Sequence, residues 1–121
     1  MSEGRRLLAV DDEQDIADFI RRVAETLGYE ARALTDPTRF AEVYEEFQPD
    51  VLFIDMVMPD VEGVELIQWL AKEGSTAQVF ILSGFNPHYA QMAHMLGELR
   101  GLKVESHSKP ISLSKLSTLL A

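Results

Sequence analysis

The chain has 121 residues, 46% of them apolar, with no cysteine and a formal net charge of −9. That is the length of one domain with enough apolar mass for a core, and it excludes a disulfide frame, thiol catalysis and thiolate metal sites. The 11 basic residues, set against 20 acidic ones, form nothing larger than pairs such as Arg21-Arg22, which disfavours direct nucleic-acid binding because phosphate contacts need clustered Lys and Arg. No stretch approaches the ~20 apolar residues of a membrane span. The start, Met1 to Arg6, lacks the apolar centre of a secretory signal, so a cytoplasmic protein without a membrane partner is expected.

Apolar runs and helical patterns alternate five times, the arrangement of parallel β-α units. The first strand is expected over about Arg6 to Val10. A helix follows, with Ile16, Phe19, Ile20, Val23 and Leu27 at helical spacing and Gly28 as its stop. Tyr29 to Leu34 is short and mixed, as edge strands are. Asp36-Pro37 offers a cap and a first position for the second helix, whose apolar face is Phe40, Val43, Tyr44 and Phe47. Pro49-Asp50 turns into a third strand, Val51 to Ile54. The third helix runs from about Gly63 to Glu73, with Val64, Ile67, Leu70 and Ala71 as its buried stripe and Gly74-Ser75 at its end. The fourth strand is Gln78 to Leu82. A helix from near Pro87 then carries Tyr89, Met92, Leu96 and Leu99. The fifth strand covers about Lys103 to Ser108, and the last helix holds Leu113, Leu116, Leu119 and Leu120.

Chemistry gathers where these strands end. Asp11-Asp12 follow Leu7 to Val10, Asp55 closes Val51 to Ile54, Ser83 follows Val79 to Leu82, and Lys109 stands just before Pro110. Ligands of open parallel α/β sheets bind at that carboxyl edge. Three carboxylates, one hydroxyl and one ammonium therefore converge into a phosphoryl-accepting site. A carboxylate can attack phosphorus to give an aspartyl-phosphate. Its neighbours answer an electrostatic problem: two unit charges ~4 Å apart repel by about 4 kcal/mol at an effective dielectric of ~20. A hard divalent cation relieves this, and Mg²⁺ accepts carboxylate, water and phosphate oxygens.

In this order, the residues resemble the response-regulator receiver domain, the CheY-like module of two-component signalling. The resemblance covers essentially the whole chain. It rests on Asp11-Asp12, Asp55, Pro59 and Gly63 four and eight residues beyond it, Ser83, and Lys109-Pro110. It implies a flavodoxin-like, doubly wound sheet of five parallel strands in the order 2-1-3-4-5, with helices on both faces and one receiver domain over residues 1–121. It implies that Asp55 takes a phosphoryl group from the phosphohistidine of a sensor histidine kinase or phosphotransfer protein. Asp12, Asp55 and the backbone carbonyl of Val57 would ligate Mg²⁺, with Asp11 acting through water. Lys109, Ser83 and Gly84 would bind the phosphoryl oxygens, and the bond before Pro110 is a candidate cis peptide. Such a chain assists its own phosphorylation but is a signalling module, not a turnover enzyme. Its fourth helix, fifth strand and fifth helix would present a switching face to an output domain, an effector protein or a second copy in a homodimer.

Three departures qualify that pattern. Ser106 stands where receivers usually carry a switch aromatic, three residues before the lysine, so Phe85 and Tyr89 become the candidates for that role or simple core residues. The stretch from Ser83 to Lys109 is longer than the family spacing by roughly one helical turn. Val57 and Phe85 are apolar where a polar side chain could orient attacking water, which predicts a long-lived aspartyl-phosphate. Two other readings compete. An aspartyl phosphohydrolase would want a second carboxylate at Val57, and a phosphorylation-independent interaction module is kept open by Ser106. His88, His94 and His107 are poorly spaced for zinc, and Met56, Met58, Met92 and Met95 read as fillers of packing gaps.

Overall fold

Strands and helices alternate from end to end: β1 (Arg6–Val10), α1 (Gln14–Thr26), β2 (Glu30–Leu34), α2 (Phe40–Phe47), β3 (Val51–Asp55), α3 (Gly63–Lys72), β4 (Gln78–Ser83), α4 (Pro87–Leu99), β5 (Lys103–Ser108) and α5 (Leu113–Leu120). This computed structural model describes residues 4–58, 61–84 and 87–121, apart from the side chains of 87, 89, 90 and 93. The five strands form one parallel sheet in the order β2-β1-β3-β4-β5. Because the chain steps from β1 out to β2 and then back past β1 to β3, the winding reverses between β1 and β3. That reversal opens the crevice in which doubly wound sheets bind ligands.

The pleat sorts each strand's side chains between two apolar layers. Leu8 and Val10 of β1, Leu52 and Ile54 of β3, Val79 and Ile81 of β4, and Val104 of β5 pack with α2 and α3 residues such as Phe40, Phe47, Ile67 and Leu70. Leu7, Ala9, Val51, Phe53, Phe80 and Leu82 point the other way, toward Ile20, Val23, Leu116 and Leu120 of α1 and α5. Strands covered on both faces read as unbroken apolar runs. This is why β1 and β3 were legible at once, while edge strand β2 alternates between exposed and half-buried residues up to the buried Leu34. At the far end of α5, the buried Tyr29 hydroxyl donates to the Leu120 carbonyl at 3.0 Å and ties the last helix to the start of β2.

Several local readings need correction. Asp36 does cap a helical turn, accepting from Thr38 N, but Pro37–Arg39 is a short 3-10 turn and α2 begins only at Phe40. The buried stripe of α3 is Leu66, Ile67 and Leu70, with Val64 and Ala71 only half-buried. Leu113 of α5 is exposed. Met56 and Met58 are buried fillers, whereas Met92, Met95 and Leu99 of α4 face solvent. Gly97 of the same helix packs closely on β5: a Cβ there would stand 2.6 Å from Val104 Cγ2. Among the described residues of α4, Gly97 is the buried one, and Met92, Met95 and Leu99 lie outward.

Candidate functional site

The site is assembled by loops that leave adjacent strands. Asp11 N donates to Leu34 O at 3.1 Å, and Asp11 Oδ1 accepts from Glu13 N at 2.9 Å, which folds the turn after β1. After β3, Met56 N donates to Leu82 O at 3.1 Å and Asp55 Oδ1 lies 3.4 Å from Val57 N. The loop returns through Gly63 N, which donates to Met56 O at 3.0 Å. Gly63 does more than permit a turn. A Cβ there would sit 2.9 Å from Asp55 O and from Met56 Cα, so the backbone carrying Asp55 approaches α3 at a distance closed to any side chain. Gly63→Ala is therefore expected to lose about 2 kcal/mol of stability in urea unfolding, because backbone rather than a flexible side chain must move.

Asp11 and Asp55 are buried, at 1% and 5% exposure, while Asp12 is exposed. Lys109 Nζ lies 3.1 Å from Asp11 Oδ2 and 3.1 Å from Asp55 Oδ1, bridging carboxylates delivered by two strands. Its own backbone N donates to Ser83 O at 2.9 Å, which fixes the start of the β5–α5 loop to the end of β4. The Lys109-Pro110 peptide bond is cis. Burial pushes the Asp55 carboxyl upward, the Asp11 charge pushes it further, and Lys109 with the Val57 N–H opposes both, leaving a pKa of about 6. Burial lowers the Lys109 ammonium, but its hydrogen bond to Asp55 and the charges of both carboxylates more than offset this and raise it.

Asp11, Asp12 and Asp55 offer ligand oxygens that all lie within 4.8 Å of one another, and they are the only such group among the described residues. Three carboxylates face one ammonium. The buried Asp11 Oδ2 has the Lys109 ammonium as its contact. An all-oxygen, strongly anionic donor set of this kind fits a hard divalent cation.

Ser83 ends β4 half-buried, and Gly84 is exposed with open space where a Cβ would project. The Val57 side chain is 66% exposed and turns away from the core. Ser106 is exposed on β5 and shares the α4-side face of Val104. Phe85 and the Tyr89 side chain lie outside the described residues. His107 sits beside Phe80 with its ring 5.9 Å away; burial chiefly, then Lys115, lowers its pKa against the pull of Glu105. One feature escaped sequence reasoning. Ile16 and Phe19 of α1, with Leu82, Gly84, Pro110 and Ile111, line a groove of about 430 Å³ beside Lys109. Their helical spacing marked Ile16 and Phe19 as core, and nothing in the sequence set them at the rim of the site.

Comparison with known proteins agrees with this arrangement. Residues 7–120 match the family model of the response regulator receiver domain. The chemotaxis protein CheY of Thermotoga maritima is 30% identical over 81 residues, which cover 66% of this chain and 68% of that protein. Response regulator MprA of Mycobacterium leprae is 30% identical over 78 residues, 64% of this chain but only 34% of the relative. The match to the DNA-binding dual master transcriptional regulator RpaA of Synechocystis is similar, 29% over 77 residues and 32% of that protein. The chain thus spans about a third of the length of these two relatives. Among solved structures, a response regulator from Colwellia psychrerythraea superposes with a TM-score of 0.80 at 27% identity, covering 96% of this chain and 93% of that one. The Francisella response regulator 1452 receiver domain gives 0.79 at 26% identity, covering 97% and 93%. With its sheet order, its acidic crevice and a family match over nearly its whole length, the chain belongs to the response regulator receiver domains of two-component signalling.

Proposed function

We propose that Asp55 accepts a phosphoryl group from a phosphohistidine on a sensor kinase or phosphotransfer protein, and that the modified chain signals through the surface of α4, β5 and α5. The observation that carries this reading is the Lys109 ammonium, 3.1 Å from both the Asp11 and Asp55 carboxylates in the crevice between β1 and β3. An Asp55 oxygen attacks phosphorus as the P–N bond to the donor imidazole breaks, and the imidazole leaves as a neutral base once protonated. The transition state spreads negative charge over three equatorial oxygens. Lys109 is a compact, mobile cation that can leave Asp55 for those oxygens while keeping Asp11. Asp12, Asp55 and the Val57 carbonyl would hold Mg²⁺, with Asp11 reaching it through water. Bound there, the ion supplies positive charge against both the carboxylates and the phosphoryl oxygens.

Phosphorylation adds about −1.5 to −2 of charge. Recruitment of Lys109 and the Ser83 hydroxyl to that charge acts on two strand ends already joined by the Lys109 N to Ser83 O bond. In this reading it biases a pre-existing equilibrium of the β4–α4 and β5–α5 loops. An output domain, an effector or a second copy would read the result in the cytoplasm. None of the helices among the described residues is long and apolar enough to cross a membrane.

Acetyl phosphate with Mg²⁺, followed by intact mass, tests the proposal. A single phosphoryl adduct that is absent from Asp55→Asn supports it. Continuous phosphate release would mark a phosphohydrolase, and no reaction at all would mark a phosphorylation-independent module. The lifetime of the adduct is a separate expectation. Val57 presents no polar atom from its side chain to position water, so Val57→Asn should hasten decay roughly tenfold. An unchanged decay rate would remove Val57 as its determinant.

A further inference from the structure

The described methionines fall into two sharply different environments. Met56 and Met58, on the loop that carries Asp55, are 1% and 4% exposed. Met92 and Met95, on α4, are 59% and 63% exposed, and Leu99 beyond them is 82% exposed. Spacings of three and four residues put these three on one strip of the helix surface. The chain has no cysteine, so no thiol competes for oxidants. Accessible thioether sulfur is the most readily oxidised group that remains.

We propose that Met92 and Met95 form a paired oxidation site for two-electron oxygen donors of the peroxide class, and that their conversion to sulfoxides changes the α4 surface while sparing the Asp55 site. In each event the thioether sulfur attacks one peroxide oxygen. An S–O bond forms as the O–O bond breaks, and the departing hydroxide takes the proton of the transferred oxygen to become water. Sulfur loses two electrons and the peroxide gains them. The product is polar where the side chain was apolar, and a methionine sulfoxide reductase can restore it.

Selectivity follows from packing. Met92 and Met95 are themselves exposed, while Gly97 packs against Val104, so oxygen added to their sulfurs meets solvent and not the core. Oxidation at Met56 would be far more disruptive, because its sulfur lies against Gly63 beneath the Asp55 backbone, where a Gly63 Cβ would come within 2.9 Å of it. Burial protects that sulfur. The α4 strip belongs to the face through which output is proposed to pass, so oxidation would supply an input independent of phosphorylation. The modification itself does not depend on the proposed role of Asp55.

The test treats the intact chain with hydrogen peroxide and maps sulfoxides by peptide mass over time. Met92 and Met95 are expected to oxidise at least about tenfold faster than Met56 and Met58. The oxidised chain should elute earlier from a hydrophobic-interaction column, and a methionine sulfoxide reductase should reverse that shift. The Met92→Leu/Met95→Leu variant should show no shift, whereas Met92→Gln/Met95→Gln should elute early without any oxidant. Acetyl phosphate labelling of the oxidised chain should stay within about twofold of the untreated chain. Equal oxidation of Met56, Met58, Met92 and Met95, an unaltered elution, or a shift that persists in the leucine variant would overturn the proposal. So would labelling that oxidation abolishes. Failure of the untreated chain to be labelled would instead count against the phosphoacceptor reading and leave the methionine results standing.

Discussion

Lys109→Met is expected to lower unfolding free energy by about 3 kcal/mol at pH 8, because it removes the cation from two buried carboxylates and leaves their charges facing each other. Lys109 is only 18% exposed at its side chain, and both of its partners are more buried still, so solvent screening offers little relief. The loss should shrink as pH falls, since protonation of Asp55 ends the repulsion. In the same variant, labelling by acetyl phosphate should slow on the order of a hundredfold, the usual effect of removing one group that stabilises a developing oxyanion. Urea unfolding at pH 8 and pH 5, with labelling followed by intact mass, measures both effects. A lysine that was merely a surface charge would leave both nearly unchanged.

Asp55→Asn should have the opposite effect on stability. Burial and the Asp11 charge raise the Asp55 carboxyl from 3.8 to about 6, so the folded chain resists its ionisation. A raised carboxyl costs nothing where both states are protonated, and its cost grows as pH climbs from about 4 to 6. Above that window the cost is constant. The asparagine variant should therefore be more stable than the parent by about 2 kcal/mol at pH 8, with the gain vanishing near pH 4. Saturating Mg²⁺ should narrow the gap by stabilising the parent, since a cation bound only by the folded chain adds to its stability. A gain that ignores pH would show that Asp55 is not held in an unfavourable charged state.

Much of this arrangement could be read in the residues before any coordinates. Val51 to Ile54 and Leu7 to Val10 are apolar without interruption because they are covered on both sides, and the residues that follow them must lie at the sheet's rim. Asp11 and Asp55 were legible for that reason, whereas Lys109 follows the mixed strand β5 and was marked by its place before Pro110. Helix α4 was less so. Its pattern of Tyr89, Met92, Leu96 and Leu99 has helical spacing, yet spacing does not say which strip a neighbouring strand will cover: Met92 and Leu99 are exposed and Leu96 half-buried, while Gly97 is buried against Val104. The closeness demanded at Gly63 was equally hidden, since it arises from a carbonyl eight residues earlier in the chain. The groove beside Lys109 joins Ile16 and Phe19 to Pro110 and Ile111, a contact across nearly the full chain that no local window could register.

The bond from the Tyr29 hydroxyl to the Leu120 carbonyl bears on how this molecule can be engineered. It anchors the exit of the last helix beside the beginning of an outer strand, on the opposite side of the molecule from the acidic crevice. A fluorescent reporter or surface tether attached behind Ala121 would leave from that far side. It would not obstruct the crevice around Asp55, and Tyr29→Phe would loosen the attachment point without touching that crevice.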